Sequence, residues 1–356
     1  MSSRFQPTIS VVIPVHDGGA SFLRCLQSLA ASERPPEELI VVVDGDTDGS
    51  SDTARAFATK VLVLPTSTGP ARARNLGAKQ AGGDILFFLD ADVTIPPDTI
   101  AQIVSFFGQH QDIAAIFGSY DTDPYEKNFL SQYKNLFHHY VHQAAEEKAS
   151  TFWTGCGAVR REVFMKLGGF DESYGRPCIE DIELGYRLRR AGYEIRLMKN
   201  LQVKHHKHWG PLSLFKADFF SRALPWTDLL LRESKIINDL NLKTADRVSV
   251  VCVYLLCICL LGSLLSPLIL IPGPFLVVLI LWLNRDLYRF FSHHRGVLFA
   301  LKVIPWHWFY FFYSGIAFLI GIVRYRYRKS ALANLFKSRR KKAGLEVDRS
   351  GKVSDG

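Results

Sequence analysis

A chain of 356 residues has the length for one large domain or two ordinary ones. It carries a formal net charge of +9, yet 48% of it is hydrophobic and its mean hydropathy is slightly positive, so apolar residues must be concentrated somewhere. The six cysteines show neither a paired metal spacing nor a disulfide framework, and no aromatic-interleaved basic face marks a nucleic-acid partner.

The amino terminus, Met-Ser-Ser-Arg-Phe-Gln-Pro-Thr, lacks the pattern of a secretory signal. Ile9–Val15 instead opens with an apolar strand that ends at His16-Asp17-Gly18-Gly19. Phe22, Leu26 and Leu29 then recur at helical spacing as far as Arg34-Pro35-Pro36. Leu39–Val43 is a second buried strand ending at Asp44. After the turn 45–50, Ser51 or Asp52 is expected to cap a helix starting near Thr53. Val61–Leu64 reads as a third strand, and Gly69-Pro70 opens a helix through Ala71, Ala73, Leu76 and Ala78. Alternating strands and helices at this tempo predict βαβ units and a parallel sheet.

Residues 84–93 carry the most chemistry. The run Ile85–Leu89 reads as a strand buried on both faces, and it ends in Asp90 and Asp92. Residues i and i+2 of an extended chain point the same way, so both acids can face one spot at the carboxyl end of the sheet. Two hard oxygen donors there suit a divalent cation, and a cation there suits a diphosphate. The plain alternative is a strand ending at a solvated turn.

The chain changes character near residue 212. Leu212 to Leu231 is amphipathic, with Pro225 expected to interrupt the helix. Ser249 to Ile271 is 23 residues without a charge, Pro272 to Leu283 stays apolar, and Val303 to Val323 gives another 21 uncharged residues. These lengths suit bilayer-crossing helices. Nine Lys or Arg and no acid lie between Arg324 and Lys342, as in a cytoplasmic flank. The expected organisation is a cytosolic catalytic domain (1–211), interface helices (212–248), a transmembrane region of two or more helices (249–323) and a basic cytosolic tail (324–356). A multi-pass protein of the cytoplasmic (inner) membrane follows. An even number of crossings is required, and the pattern leaves open whether 249–283 holds one crossing or a hairpin.

Taken together, Ser10-Val-Val-Ile-Pro-Val, Val43-Asp44, Thr47-Asp48-Gly49-Ser50, Gly69-Pro-Ala-Arg-Ala-Arg-Asn-Leu-Gly-Ala and the Asp84–Asp92 segment resemble the first half of the family 2 glycosyltransferases of GT-A fold. Trp153-Thr-Gly-Cys-Gly-Ala, Gly168-Gly-Phe-Asp-Glu, Ile179-Glu-Asp-Ile-Glu-Leu-Gly-Tyr and Ala191-Gly-Tyr are similar to its acceptor half. The resemblance implies an α/β fold, Rossmann-like, with a mostly parallel mixed sheet flanked by helices. It implies that Pro14, Val15 and Asp44 hold the base and that Arg74 sits over the nucleotide or diphosphate. Asp90 would contact ribose or metal, Asp92 would bind Mg²⁺ or Mn²⁺, and Asp181 of the Glu180-Asp181 pair would be the catalytic base. Gly155 is expected to let the sugar or acceptor approach the backbone. His206, sharing one face of an extended run with His208, is expected to add a metal or diphosphate contact, and the choice among the histidines at 205–208 stays open.

Blander readings stand beside these. Glu180 and Asp181 could cap the helix bearing Leu184 and Leu188, Arg74 could lie on a solvated face, and His138, His139 and His142 on their helix read as packing or acceptor-side lining.

The chemistry is coherent without the family. Displacing a nucleoside diphosphate from a sugar needs its charge neutralised and the acceptor hydroxyl deprotonated, and one carboxylate suffices for the second task. With no nucleophile evident for double displacement, inversion is expected. The family resemblance implies a nucleotide-sugar donor, UDP-linked foremost, and the apolar spans point to a polyprenyl-linked glycan or polyprenyl phosphate as acceptor, since a soluble acceptor would not require them. Competing readings are a processive polysaccharide synthase, disfavoured because Arg222-Ala-Leu-Pro-Trp226 replaces the Gln-x-x-Arg-Trp motif, and an inactive nucleotide-sugar-binding scaffold.

Overall fold

The computed structural model describes residues 6–233 and 243–342, with side chains through residue 329. Four apolar runs form parallel neighbours: β1 (Ile9–Val15), β2 (Glu38–Asp44), β3 (Lys60–Leu64) and β4 (Ile85–Leu89). Their crossovers are the helices α1 (Gly19–Ala30), α2 (Ser50–Arg55) and α3 (Pro70–Gln80). The chain continues through β5 (Val93–Thr94), α4 (Thr99–Gln109), β6 (Ile113–Tyr120), α5 (Phe129–Gln143), β7 (Cys156–Arg160), α6 (Arg161–Lys166), α7 (Glu180–Arg190) and β8 (Glu194–His205). The spatial order β3-β2-β1-β4-β7-β6-β8-β5 makes one mixed sheet, in which β7 runs antiparallel to both β4 and β6.

The alternation of side chains along each strand splits the core in two. Ile9, Val11 and Ile13 with Val41, Phe87 and Leu89 pack under α1 and α4. Val12, Ile40, Leu86 and Phe88 pack on the other face against Ala71 and Ala73 of α3 and Leu184 and Leu188 of α7. Burial of each large apolar side chain contributes roughly 1.5–3 kcal/mol. This double covering is why the strands read as continuous apolar runs rather than alternating ones.

Two local expectations change. The second helix starts at Ser50, not near Thr53, because Gly49 adopts a left-handed φ of 79° and Asp48 accepts the Ser50 N–H at 3.0 Å. Nor does Pro225 interrupt its helix. The chain is helical from α8 (Pro211–Lys216) through a π-helical stretch (Ala217–Ala223) into α9 (Leu224–Glu233). The wide π turn just before Pro225 makes room for a ring that would clash within a regular α-helix.

The remaining helices are α10 (Thr244–Gly262), a 3₁₀ turn (Pro267–Leu270), α11 (Gly273–Leu283), α12 (Arg285–Arg295) and α13 (Val297–Lys342). Two of them, Thr244–Gly262 and Val297–Lys329, are long and apolar enough to cross a membrane. The 11 residues of α11 span only about 16 Å, about half a hydrocarbon core. The segment 267–283 meets α12 at a 64° bend, which is the geometry of a broken span or re-entrant piece. The basic stretch from Arg324 runs on as the end of α13, and residues 343–356 of the expected tail lie outside the described residues.

A buried polar hub ties these helices to the sheet domain. Lys134 of α5 meets Asp218 of the π stretch at 2.6 Å, and the Tyr313 hydroxyl of α13 donates to the other Asp218 oxygen at 2.9 Å. Around it, Leu130, Tyr133 and Leu136 pack with Leu214, Phe291 and Val303.

The fit of α7 against the sheet leaves no room at Gly185, where a Cβ would lie 2.4 Å from the backbone nitrogen of Phe152. Gly185→Ala is expected to destabilise the fold by about 1–3 kcal/mol, read as a lowered thermal unfolding midpoint. Unchanged melting would show that the 151–154 segment is free to retreat.

Candidate active site

The carboxyl ends of β1, β2 and β4 open into one cleft of about 1140 Å³, whose lining includes Pro14, Val15, Asp44, Arg74, Asp90, Asp92 and Asp181. Strand ends in open α/β sheets are where ligands sit, because the flanking loops diverge there. Pro14 and Val15 border it as expected. Asp44 borders it too, but both of its oxygens are engaged. They accept from Thr68 N at 2.7 Å, Thr68 Oγ1 at 2.9 Å, Gly69 N at 2.8 Å and Ser67 Oγ at 3.1 Å. The carboxylate thus builds the loop that starts α3, with Gly69 at φ 96° and Pro70 in the first helical turn.

Arg74 is buried at 4% exposure rather than lying on a solvated face. One guanidinium nitrogen donates to Asp90 Oδ1 and the other to Glu180 Oε1, each at 2.7 Å. It therefore joins the end of β4 to the start of α7. The second Glu180 oxygen accepts the Cys178 N–H at 3.0 Å. With both oxygens held and 4% exposure, Glu180 anchors Arg74 and the turn that opens α7.

Asp181, the next residue, faces the cleft. Its Oδ1 accepts the Ile182 N–H at 2.8 Å, and Oδ2 lies 3.3 Å from Thr154 N. Withdrawal from water, then the adjacent Glu180 carboxylate, push its carboxyl up to about 7. A carboxylate in that range is poised to take a proton near neutral pH.

Asp92 has the opposite character. Although partly withdrawn from water, it is held well below the usual carboxylate range by His205, at 3.7 Å, and by Lys207, also at 3.7 Å. It stays anionic. Asp90, sharing its strand end, is pushed upward by burial against the pull of Arg74. His206 is not the imidazole beside these acids. Its Nδ1 accepts from Arg24 Nε at 3.2 Å and its Nε2 lies 3.0 Å from Thr94 Oγ1, so both ring nitrogens are used. In β8 the alternation of side chains puts His205 there instead, stacked on Tyr120 with ring centroids 4.2 Å apart.

The donor set fits a divalent cation of limited protein coordination. Among the described residues no three His, Cys, Asp or Glu side chains converge as a cage. Magnesium or manganese held by one or two carboxylates plus substrate phosphates needs none. Asp92, anionic and 28% exposed on the cleft wall, supplies such an oxygen pair.

The far wall is aromatic. Trp153 packs against Tyr120 at 4.8 Å and His138 at 4.9 Å. Gly155 serves this packing rather than facing the cleft, since a Cβ there would lie 2.2 Å from the Trp153 ring. His139 and His142 point their Nδ1 atoms at the carbonyls of Tyr120 and Gly118, latching α5 to β6. Tyr120, Thr154 and Lys207 are cleft residues that sequence reasoning missed. Thr154 stood inside a quoted motif, no local pattern marks Tyr120, and among the histidines at 205–208 the sequence left open which one meets the acids, which is His205.

Residues 10–168 match the family model described as glycosyl transferase family 2, and residues 135–209 match one described as the N-terminal domain of galactosyltransferase. The chain is 28% identical over 261 residues to validoxylamine A glucosyltransferase of Streptomyces hygroscopicus subsp. limoneus, covering 62% of this chain and 57% of the relative. It is 22% identical over 237 residues to the O-antigen chain rhamnosyltransferase WbaN of Salmonella anatum, covering 62% and 74%. Thus the chain spans about half to three-fifths of the length of the first curated relatives it matches. A mannosyltransferase from Pyrobaculum calidifontis, solved in complex with GDP-Man and Mn²⁺, superposes over 88% of both chains with a TM-score of 0.54 at 16% identity, which is a likeness of fold. The matched motifs, the GT-A sheet and the cleft agree, and residues 10–168 form a domain of the family 2 glycosyltransferases.

Proposed function

We propose that the chain transfers a glycosyl group, with inversion, from a nucleoside-diphosphate sugar to a membrane-associated acceptor at the cytoplasmic face of a membrane. The observation that carries this reading is Asp181, a carboxylate pushed up to about 7 on the wall of the same cleft as the anionic Asp92. The acceptor oxygen attacks the anomeric carbon and its proton passes to the Asp181 carboxylate. The bond from that carbon to the diphosphate oxygen breaks, and its electron pair leaves with the nucleotide. A bound Mg²⁺ or Mn²⁺, held by Asp92 with Asp90 beside it, would supply neutralisation of the departing diphosphate.

Pro14 and Val15 would meet the base, with Asp44 shaping the adjoining loop. Arg74 contributes through position, since it holds Asp90 and Glu180 at 2.7 Å each and so sets Asp181 relative to the strand end. A UDP-sugar remains the leading donor, with a GDP-sugar the next, as in the mannosyltransferase neighbour. Two helices long and apolar enough to cross a membrane favour a lipid-linked acceptor, a polyprenyl-linked glycan or polyprenyl phosphate, and the O-antigen chain rhamnosyltransferase among the relatives is in keeping with this.

Nucleotide release from a panel of nucleotide sugars, with lipid extract as acceptor, tests the reading. Asp181→Asn is expected to lower kcat by about 10²–10⁴ while nucleotide binding persists. Wild-type kcat/KM should climb as pH rises through about 7, because only the deprotonated Asp181 accepts a proton. A flat profile from pH 5 to about 9 would remove Asp181 from that role. Asp92→Asn should abolish the extra nucleotide affinity that Mn²⁺ confers and leave affinity in EDTA unchanged, measured by calorimetry. Arg74→Leu leaves two acids facing each other without a countercharge and should cost about 3–5 kcal/mol in denaturant unfolding.

A further inference from the structure

Away from the cleft, α12 and the start of α13 enclose a second groove of about 300 Å³. Its two walls differ in kind. On α12, Arg285, Arg289 and Ser292 follow one another at i, i+4 and i+7, so they share one helical face. On α13, Val297, Ala300, Leu301 and Ile304 recur at i, i+3, i+4 and i+7 and make a stripe without a polar side chain. Ala300, buried at 6% exposure, sets the floor, while Leu301 and Val297 are 56% and 63% exposed.

The two cations share a single exposed carboxylate, Asp286, in loose ion pairs. Arg285 Nε and Arg289 Nη1 are each 3.7 Å from Asp286 Oδ1, beyond hydrogen-bond distance. Arg285 lies over the Trp282 ring, 5.0 Å from its centroid, and donates one hydrogen bond to the Trp282 carbonyl. Guanidinium groups beside an apolar slot match an amphiphile with an anionic head, and planar guanidinium favours phosphate oxygens. The apolar stripe continues onto Leu298, itself 77% exposed, which suits an acyl chain rather than a folded protein edge.

We propose that this groove binds one anionic phospholipid of the bilayer, its phosphate on Arg285 and Arg289 and an acyl chain along the Val297–Ile304 stripe. The site rests on the membrane reading but not on glycosyl transfer. Such a lipid would brace the 64° elbow ahead of α12 against α13.

Native mass spectrometry of the detergent-purified full chain tests this with phosphatidylglycerol and phosphatidylcholine of identical acyl chains. Retention of the anionic lipid should exceed that of the zwitterionic one by at least about tenfold, from two cations at headgroup level. Arg285→Gln with Arg289→Gln should erase the preference, and the corresponding Lys pair should keep it. Ala300→Trp, which fills the floor, should shed both lipids. Equal retention by the wild type, a preference surviving in the Gln pair, or displacement of the lipid by inorganic phosphate alone would overturn the proposal. Lipid selectivity without nucleotide release would sink the transferase reading and leave the groove standing. Nucleotide release without lipid selectivity would do the reverse.

Discussion

One buried guanidinium holds the catalytic region together. Arg74 is shared between Asp90, at the end of a strand in the nucleotide half, and Glu180, at the start of a helix in the other half. Two acids brought this close without it would repel, and a lone buried arginine without them would be costly. Each charge is tolerable because the others are present. The arrangement fixes the first turn of α7, and with it Asp181, against the β4 end.

The two acids that face the cleft differ electrostatically. Asp181 stands beside another carboxylate and away from water, which raises it. Asp92 stands beside an imidazole and a lysine, which lowers it. One holds a proton up to about neutrality and the other does not, so a titratable carboxylate and a permanent anion coexist in one cleft.

The strands and their order of crossovers were legible because a sheet covered on both faces demands long apolar runs, as in Ile85–Leu89 and Leu39–Val43. The acids at 90, 92 and 181 were legible from their motifs. What escaped was partnership across the fold. Nothing near Arg74 in the chain says that it meets Glu180, 106 residues away, and so its buried role could not be read locally. Whether His205 or His206 lies beside Asp92 depended on the register of β8, which a run of histidines does not fix. Pro225 misled because helix-breaking rules assume an α-helical turn, and here the turn before it is wider.

The hub at Asp218 has a bearing on how the protein is made. Its tyrosine partner, Tyr313, lies 95 residues further along the chain, and its lysine partner, Lys134, lies 84 residues earlier. A ribosome therefore releases the whole sheet domain before the residue that completes its helical wall exists. Lys134 waits for Asp218 and the apolar side of α5 for Leu214, Phe291 and Val303, all of them made after the sheet is complete. Cutting the chain after β8 would remove Asp218, Leu214, Phe291 and Val303 together, and would leave Lys134 and the apolar side of α5 facing water for good.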